Sequence, residues 1–306
     1  MKEQVQCIPS DDQPIQIVKP LKVKYVFHAL SEALSANHKL MGVEKLWKRT
    51  KGKGVRVAVL DTGVPDHVDI KVAGGKSFIR DYYYDKNGHC LHVSGIIAAT
   101  EGNGIGIAGI APEVDLYCGA VMGEDGSGSI SDIVAGIRWA VDEVKADVIN
   151  MSLGIADTDF EFTSLRRACD YAFDNGVAVF AAAGNEAGNV GQPARYPSTI
   201  SVGAVSRGLK HANFSNTGAT VDFVSVGVDV YSTWLNNSYC CLDGTSMACP
   251  AVAGLGALLI ADARLDGIRL SPADLKAKLV SMARDLGQPG FDTVFGFGIP
   301  DANKLA

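Results

Sequence analysis

From Gly54 onward the chain alternates short apolar runs with longer stretches of helical periodicity, and few architectures accommodate that pattern. Val55-Arg56-Val57-Ala58-Val59-Leu60 is a short apolar run bounded by glycine and a turn, so it reads as a buried strand. Further strands are expected at 114–121, 147–151, 177–183 and 199–205. Helices are expected at 87–99, 130–144, 163–175 and 246–262, the third ended by Gly176. Ser271-Pro272-Ala273-Asp274 caps a last amphipathic helix. Residues 219–241, rich in valine, serine and turn residues, read as β-hairpins. This alternation implies an α/β fold of three layers, with a mostly parallel central sheet covered by helices on both faces.

Upstream the pattern is different. Residues 1–20 hold Pro9, Pro14 and Pro20, cannot form a long helix, and read as an extended arm. Residues 25–50 read as helical, from Tyr25 through Leu34 and again from Met41 to Trp47, with His28 and His38 as surface or capping residues. The expected division is an N-terminal extension, 1–20, and one catalytic domain, 21–306. A chain of 306 residues with 47% hydrophobic and 20% charged content can bury a large single core. The net charge of -6 argues against nucleic acid or an anionic membrane as partner. The longest apolar run, 251–261, carries Gly254 and Gly256 and falls short of the ~20 residues a spanning helix needs. No signal-like apolar segment marks the N-terminus. The seven cysteines, with Cys240 and Cys241 adjacent, follow no disulfide or zinc spacing and read as free thiols. A reducing, cytoplasmic setting is the expectation.

Chemistry concentrates at the edges of these elements. Gly244-Thr245-Ser246 is a tight turn opening into an apolar helix, so the Ser246 hydroxyl lies at the positive end of a helix dipole beside unpaired N–H groups. It is either an N-cap or a nucleophile whose attack creates an oxyanion. Asp61 closes the first buried strand, where open α/β sheets keep their chemistry. His89 opens the next helix. Acyl transfer by a hydroxyl needs a base near neutrality, a buried carboxylate to orient it, and donors for the oxyanion. Asp61, His89 and Ser246 supply the first residues of such a set, in the chain order of subtilisin.

Val57-Ala58-Val59-Leu60-Asp61-Thr62-Gly63, His89-x-x-His92-Val93-x-Gly95 and Gly244-Thr245-Ser246-Met247-Ala248-x-Pro250 resemble the active-site signatures of the subtilisin-like serine proteases. The resemblance runs from about Gly42 to the C-terminus. It implies a subtilisin-like fold and a serine endopeptidase. Ser246 would be the nucleophile, His89 the base, Asp61 its partner and Asn185 the side-chain oxyanion donor. Ser127, Gly128, Ser152, Leu153 and Gly154 would line the substrate cleft. Ala182, Ala183, Gly184 and Gly191 would form a P1 pocket for large apolar residues, with Glu186 near its rim. His92, one turn past His89, cannot reach the same reacting atom and reads as structural.

The same resemblance implies a structural calcium ion held by Asp69, Thr100, Asn103, Ile105 and Ile107, although the family's N-terminal glutamine ligand has no secure counterpart. In organisation the chain is closest to the intracellular subtilisins, whose short N-terminal extension blocks the cleft. Cys7-Ile8-Pro9-Ser10 resembles the element that does this, with Ser10 in place of an aromatic residue. Residues 1–20 would then inhibit their own enzyme, proline preventing both strand pairing and cleavage. The expected partners are protein or peptide substrates and this extension. The sequence departs from the family at Cys90-Leu91 and at Cys249-Pro250-Ala251. Cys90 is either a small buried residue or a thiol within reach of the site. A catalytically impaired binding protein and a peptide ligase with the same triad stand as alternatives.

Overall fold

The computed structural model describes residues 14–16, 23–27 and 31–305, with 14–16 and Phe27 as backbone alone. The expectations for Cys7-Ile8-Pro9-Ser10 and for His28 lie outside the described residues. The described chain begins with strands β1 (Pro14–Gln16) and β2 (Val26–Phe27) and helices α1 (Ala36–Leu40) and α2 (Val43–Trp47). Strands β3 (Arg56–Asp61) and β4 (Val72–Ser77) lead to α3 (His89–Ala98). Next come β5 (Asp115–Ala120), β6 (Ser127–Ser129) and α4 (Ile130–Trp139), which widens into a looser turn over Ala140–Val144. Strand β7 (Val148–Met151), helix α5 (Thr163–Asp174), β8 (Ala178–Ala182) and β9 (Thr199–Val205) follow. Then come β10 (Phe223–Val226), β11 (Val230–Trp234) and β12 (Ser238–Leu242). Helices α6 (Thr245–Leu265) and α7 (Pro272–Ser281) and strands β13 (Ala283–Arg284) and β14 (Ile299–Pro300) complete the chain.

The central sheet has seven parallel strands in the order β10-β9-β8-β7-β3-β5-β4. Side chains alternate across it with the strand period of two. Val57 and Val59 of β3 face a core shared with α3 and α6, whereas Ala58 and Leu60 face a second core shared with α4 and α5. Helix α6 is the axle of the first core. It spans 21 residues with mean hydropathy 1.6, so by length and composition it passes as a membrane span, correcting the shorter apolar run expected from sequence. Here that apolarity is spent inside the protein, where the helix is buried all round. Its glycines permit close approach: a Cβ on Gly254 would come within 2.9 Å of Ile110, and one on Gly256 within 2.8 Å of Phe180.

Two expectations are corrected and a third is met in part. The helix expected from Tyr25 to Leu34 is not formed in its described residues: Val26–Phe27 is a strand paired antiparallel with Tyr239 and Cys240 of β12. Only a partner more than 200 residues away dictates that conformation. The hairpin region splits. Phe223–Val226 joins the parallel sheet as its edge, and the true hairpin is β11–β12, turned by Asn236 and Asn237 at φ 58 and 52. His38 caps, one of its two expected readings, and does so from a buried position: its Nδ1 accepts from Ser35 N–H at 3.2 Å and its Nε2 meets the Gly109 carbonyl at 3.2 Å.

Candidate active site

Strands β3 and β7 are neighbours, and the chain leaves them in opposite directions across the sheet. Such a switch point opens a crevice at the carboxyl ends of the strands. Asp61 is the last residue of β3, and Ser152 follows the end of β7. Helices α3 and α6, on the same face, begin at this edge with His89 and with Thr245-Ser246. His89 Nδ1 lies 2.7 Å from Asp61 Oδ1, both side chains being fully buried. The carboxylate can only accept, so Nδ1 carries a proton and the neutral imidazole keeps Nε2 as its lone-pair nitrogen. That nitrogen has no hydrogen-bond partner among the described residues. The Ser246 hydroxyl instead donates to the Ser152 carbonyl at 3.2 Å. The structure therefore joins Asp61 to His89 directly and stops short of a His89–Ser246 bond.

The turn of α6 that carries Ser246 has a peculiarity with a sequence cause. Pro250 has no N–H, so the Ser246 carbonyl loses the helical bond it would otherwise accept four residues on. The Ser152 hydroxyl fills the gap, donating to that carbonyl at 2.9 Å. Asn150 in turn donates its amide to Ser152 Oγ at 3.0 Å.

Asn185 sits on the loop after β8. Its Oδ1 accepts from both the N–H and the hydroxyl of Thr245, each at 2.9 Å, which turns the amide nitrogen the other way. The loop is locked by its neighbours. Glu186 Oε2 accepts from Asn185 N–H at 2.9 Å and from the Asn216 amide at 2.8 Å, while Asn216 Oδ1 accepts from the N–H groups of Glu186 and Gly188. Gly184 stands at φ 116 where any Cβ would strike the Asn216 amide, so only glycine fits. Thr245 and Asn216 were not singled out from sequence; the Thr of Gly-Thr-Ser was the available signal for the first.

Ala182, Ala183, Gly184, Gly154 and Gly191 line one small cavity, together with Ile155, Gln192 and Asn216. Gly191 is pressed against the Ile155 carbonyl, which a Cβ would approach to 2.0 Å. Glu186 lines it too, with its carboxylate engaged by the loop. Leu153 is fully buried. On the other side of the cleft Ser127 and Gly128 belong to β6, whose partner is β1: Pro14, Ile15 and Gln16 lie opposite Ser129, Gly128 and Ser127 in antiparallel register.

His92 Nε2 lies 3.0 Å from the Val230 carbonyl and 3.3 Å from that of Cys240, tying α3 to the hairpin that leads into Ser246. Burial, with His89 nearby, pushes its pKa down to about 3, so it stays neutral. Cys90 is fully buried, 3.7 Å from Ser94 Oγ, and burial pushes its thiol up. Asp69, Asn103, Ile105 and Ile107 share one loop system. The buried Asp69 carboxylate accepts from the Asn103 amide at 2.6 Å, and from the Ile107 N–H and the Tyr239 hydroxyl at 3.2 Å each, while Thr100 N–H bonds the Asp69 carbonyl. Glu32, unremarked in the sequence, caps the same loop, its Oε2 accepting from Gly102 and Asn103 N–H at 2.8 and 3.1 Å.

A seven-stranded parallel sheet with a buried Asp–His pair at its carboxyl edge, and a serine at an adjoining helix N-terminus, is the layout of a serine hydrolase. The chain matches the Subtilase family (Peptidase_S8) over residues 52–298 and belongs to it. Subtilisin DY of Bacillus licheniformis is 43% identical over 264 residues, 84% of this chain and 92% of that protein. Subtilisin Savinase of Lederbergia lenta is 44% identical over 211 residues, 68% of this chain and 77% of its own. Alkaline elastase YaB of a Bacillus strain is 43% identical over 254 residues, 82% of this chain and 64% of its own. The chain is a subtilisin-like serine endopeptidase whose substrates are proteins or peptides.

Proposed function

We propose that Ser246 is the nucleophile, His89 the base that takes its proton, and Asp61 the carboxylate that orients and stabilises the imidazole. The buried 2.7 Å contact between Asp61 and His89, with Nε2 left open, carries this reading. Rotation of the Ser246 hydroxyl from the Ser152 carbonyl to Nε2 arms the attack on the acyl carbon. The oxygen that gains charge then faces the first turn of α6 and accepts from Ser246 N–H and from the Asn185 amide. The imidazolium returns its proton to the leaving amine, and water, deprotonated by the same nitrogen, releases the acyl group.

The finer reading has four parts. The small residues of the P1 cavity suit an apolar side chain, in keeping with the expected preference for large apolar P1 residues. Residues 1–20 act as an internal competitor, because Pro14–Gln16 occupies the edge of β6 that an added substrate strand would use. The loop at Asp69 suits calcium: its donors are a carboxylate, an amide and backbone carbonyls, and the buried carboxylate meets only neutral donors at its oxygens. Asp69, Asn103 and the carbonyls of Thr100, Ile105 and Ile107 would hold the ion, whose contribution would be rigidity. The unpaired cysteines of the described residues suit a reducing compartment such as the cytoplasm.

Treating the full chain with a fluorophosphonate and then digesting it reports on the nucleophile. A mass increase on the peptide holding Ser246, absent in Ser246→Ala, is expected. No labelling would favour the impaired binding protein. Product masses from a peptide substrate separate hydrolysis, which adds water, from ligation.

A further inference from the structure

Helix α3 has a defect at its start. Its N-cap is Gly88, at φ 94, which has no side chain to accept from the unpaired N–H groups of the first turn. Those groups are satisfied by residues outside the helix. Asp85, buried, accepts from the N–H of Asn87 and of Gly88 at 3.0 Å each through Oδ1, and from Leu91 N–H at 2.9 Å through Oδ2. Its Oδ1 also accepts from the Thr62 hydroxyl at 2.9 Å. The Thr62 oxygen accepts from Cys90 N–H at 3.1 Å, and Thr62 N–H donates to Asp61 Oδ1 at 2.7 Å. The same Asp61 oxygen meets His89. One network of hydrogen bonds thus contains both members of the Asp61–His89 pair, and in it Asp85 and Thr62 together tie the helix turn to the strand exit. The backbones are pressed together as well: a Cβ on Gly63 would lie 2.4 Å from Asp85 Cα.

We propose that Asp85 is a positioning residue for catalysis, clamping the first turn of α3 to Thr62 so that the His89 imidazole is held in line with Asp61. This rests on the reading of His89 as the base. A negatively charged acceptor at a helix N-terminus gains from the helix dipole as well as from its hydrogen bonds, so the clamp is stiff. Asp85 makes no contact with the reacting atoms. Its effect is on where the imidazole stands, and displacement of about 1 Å in such a group is enough to lower turnover by up to ~10²-fold.

The test uses the full chain and its variants Asp85→Asn, Thr62→Val, Thr62→Ser and the pair Asp85→Asn/Thr62→Val. Ser271→Ala, which removes the distant cap of α7, is the control for simple loss of helix stability. The readouts are kcat and KM on a peptide amide, the rate of fluorophosphonate labelling, the proton NMR signal of the His89 Nδ1–H, and Tm. For Asp85→Asn, kcat and labelling rate are expected to fall about 10–100-fold, with KM within about twofold. The Nδ1–H signal is expected to shift or broaden. Thr62→Val should act in the same direction, Thr62→Ser should restore the wild-type rate, and the paired variant should lose less than the product of its parts. Ser271→Ala should lower Tm alone. Wild-type kcat and an unmoved Nδ1–H signal in Asp85→Asn would overturn the role, as would strict additivity with Thr62→Val. If Asp85→Asn fails to fold, Thr62→Val against Thr62→Ser decides by the same signals. A wild-type chain that is never labelled overturns the hydrolase reading and this role with it; a labelled wild type with unaffected variants overturns only the role of Asp85.

Discussion

Ser152 and Ser246 exchange hydrogen bonds: the Ser152 hydroxyl donates to the Ser246 carbonyl at 2.9 Å, and the Ser246 hydroxyl donates to the Ser152 carbonyl at 3.2 Å. The first bond exists because Pro250 cannot supply an N–H to that carbonyl. Strand β7 and helix α6 are thereby stitched together at the proposed nucleophile. Ser152→Ala removes a buried hydrogen bond to that carbonyl and should cost about 0.5–1.5 kcal/mol of stability. Pro250→Ala would supply the missing N–H, so Ser152→Ala should cost less in that background. Denaturant unfolding of both single variants and the double variant reads the coupling, and additive losses would contradict the compensation.

The orientation of Asn185 is set by Thr245, and the two should fail differently. Asn185→Ala should lower kcat by about 10²–10³, ~2.7–4 kcal/mol, the range for the equivalent donor of subtilisin and carried over from it. Thr245→Val keeps the N–H that fixes the amide and removes the hydroxyl, which donates to Asn185 Oδ1 and accepts from Gly184 N–H at 3.2 Å, so its loss should be smaller, with KM little changed for both. Steady-state kinetics on one peptide amide checks the order. Equal losses would mean that the hydroxyl, through Asn185 and the Gly184 N–H, matters as much as the amide itself.

His92 makes stability depend on pH. Its folded pKa, about 3, lies below its ordinary value of 6.5, so the unfolded chain binds the proton more readily. The stabilisation is fully present above pH 6.5 and is lost as pH falls from there towards 3. At about 1.4 kcal/mol per pKa unit the whole effect amounts to several kcal/mol. His92→Gln should be less stable at pH 7 yet lose less on acidification to pH 4.5. Urea unfolding at both pH values provides the comparison, and an unchanged slope would assign the acid sensitivity elsewhere.

The parts of the site with a local cause were legible in the sequence. The run Val55 to Leu60 ends in Asp61 because a buried strand must stop at a turn, and Gly244-Thr245-Ser246 opens α6 because glycine permits the turn and Ala, Leu and Met favour the helix. Residues bound by distant partners were not. Val26 and Phe27 form a strand only because Tyr239 and Cys240 offer an edge, and nothing in their own neighbourhood says so. Strand β4 escaped notice because Gly74 and Gly75 hide its pattern; Gly75 is required there, since a Cβ would strike Val64. Asp85 and Glu32 look like any surface acid until the loops they cap are folded around them.

Calcium should stabilise the chain by mass action if the Asp69 loop holds it. At a free concentration 100 times Kd the gain is about 2.7 kcal/mol, which should appear as a rise of several degrees in Tm over a sample in EDTA. Asp69→Asn should abolish the rise. Glu32→Gln should reduce it, since Glu32 holds the N–H groups of Gly102 and Asn103 in place. Calorimetry with and without millimolar calcium decides the matter. Identical Tm values would remove the ion from the account and leave the Asn103 amide, the Ile107 N–H and the Tyr239 hydroxyl to support the buried Asp69 carboxylate.

If the arm competes with substrate for one strand edge, as proposed, its inhibition has a definite kinetic form. Pro14–Gln16 lies antiparallel to Ser127–Ser129, the manner in which a peptide is added to a sheet. A tethered strand of this kind sees an effective concentration of about a millimolar, so an arm whose affinity in trans is ~0.1 mM would leave roughly one enzyme in ten open. Deleting residues 1–20 should then raise kcat/KM about tenfold, chiefly through KM, because saturating substrate displaces the arm. A synthetic peptide of residues 1–20, added to the shortened enzyme, should restore competitive inhibition. A rise confined to kcat would point to an effect of the arm on the catalytic residues rather than on the cleft, and no rise at all would leave β1 as a structural strand and the competitor reading without support.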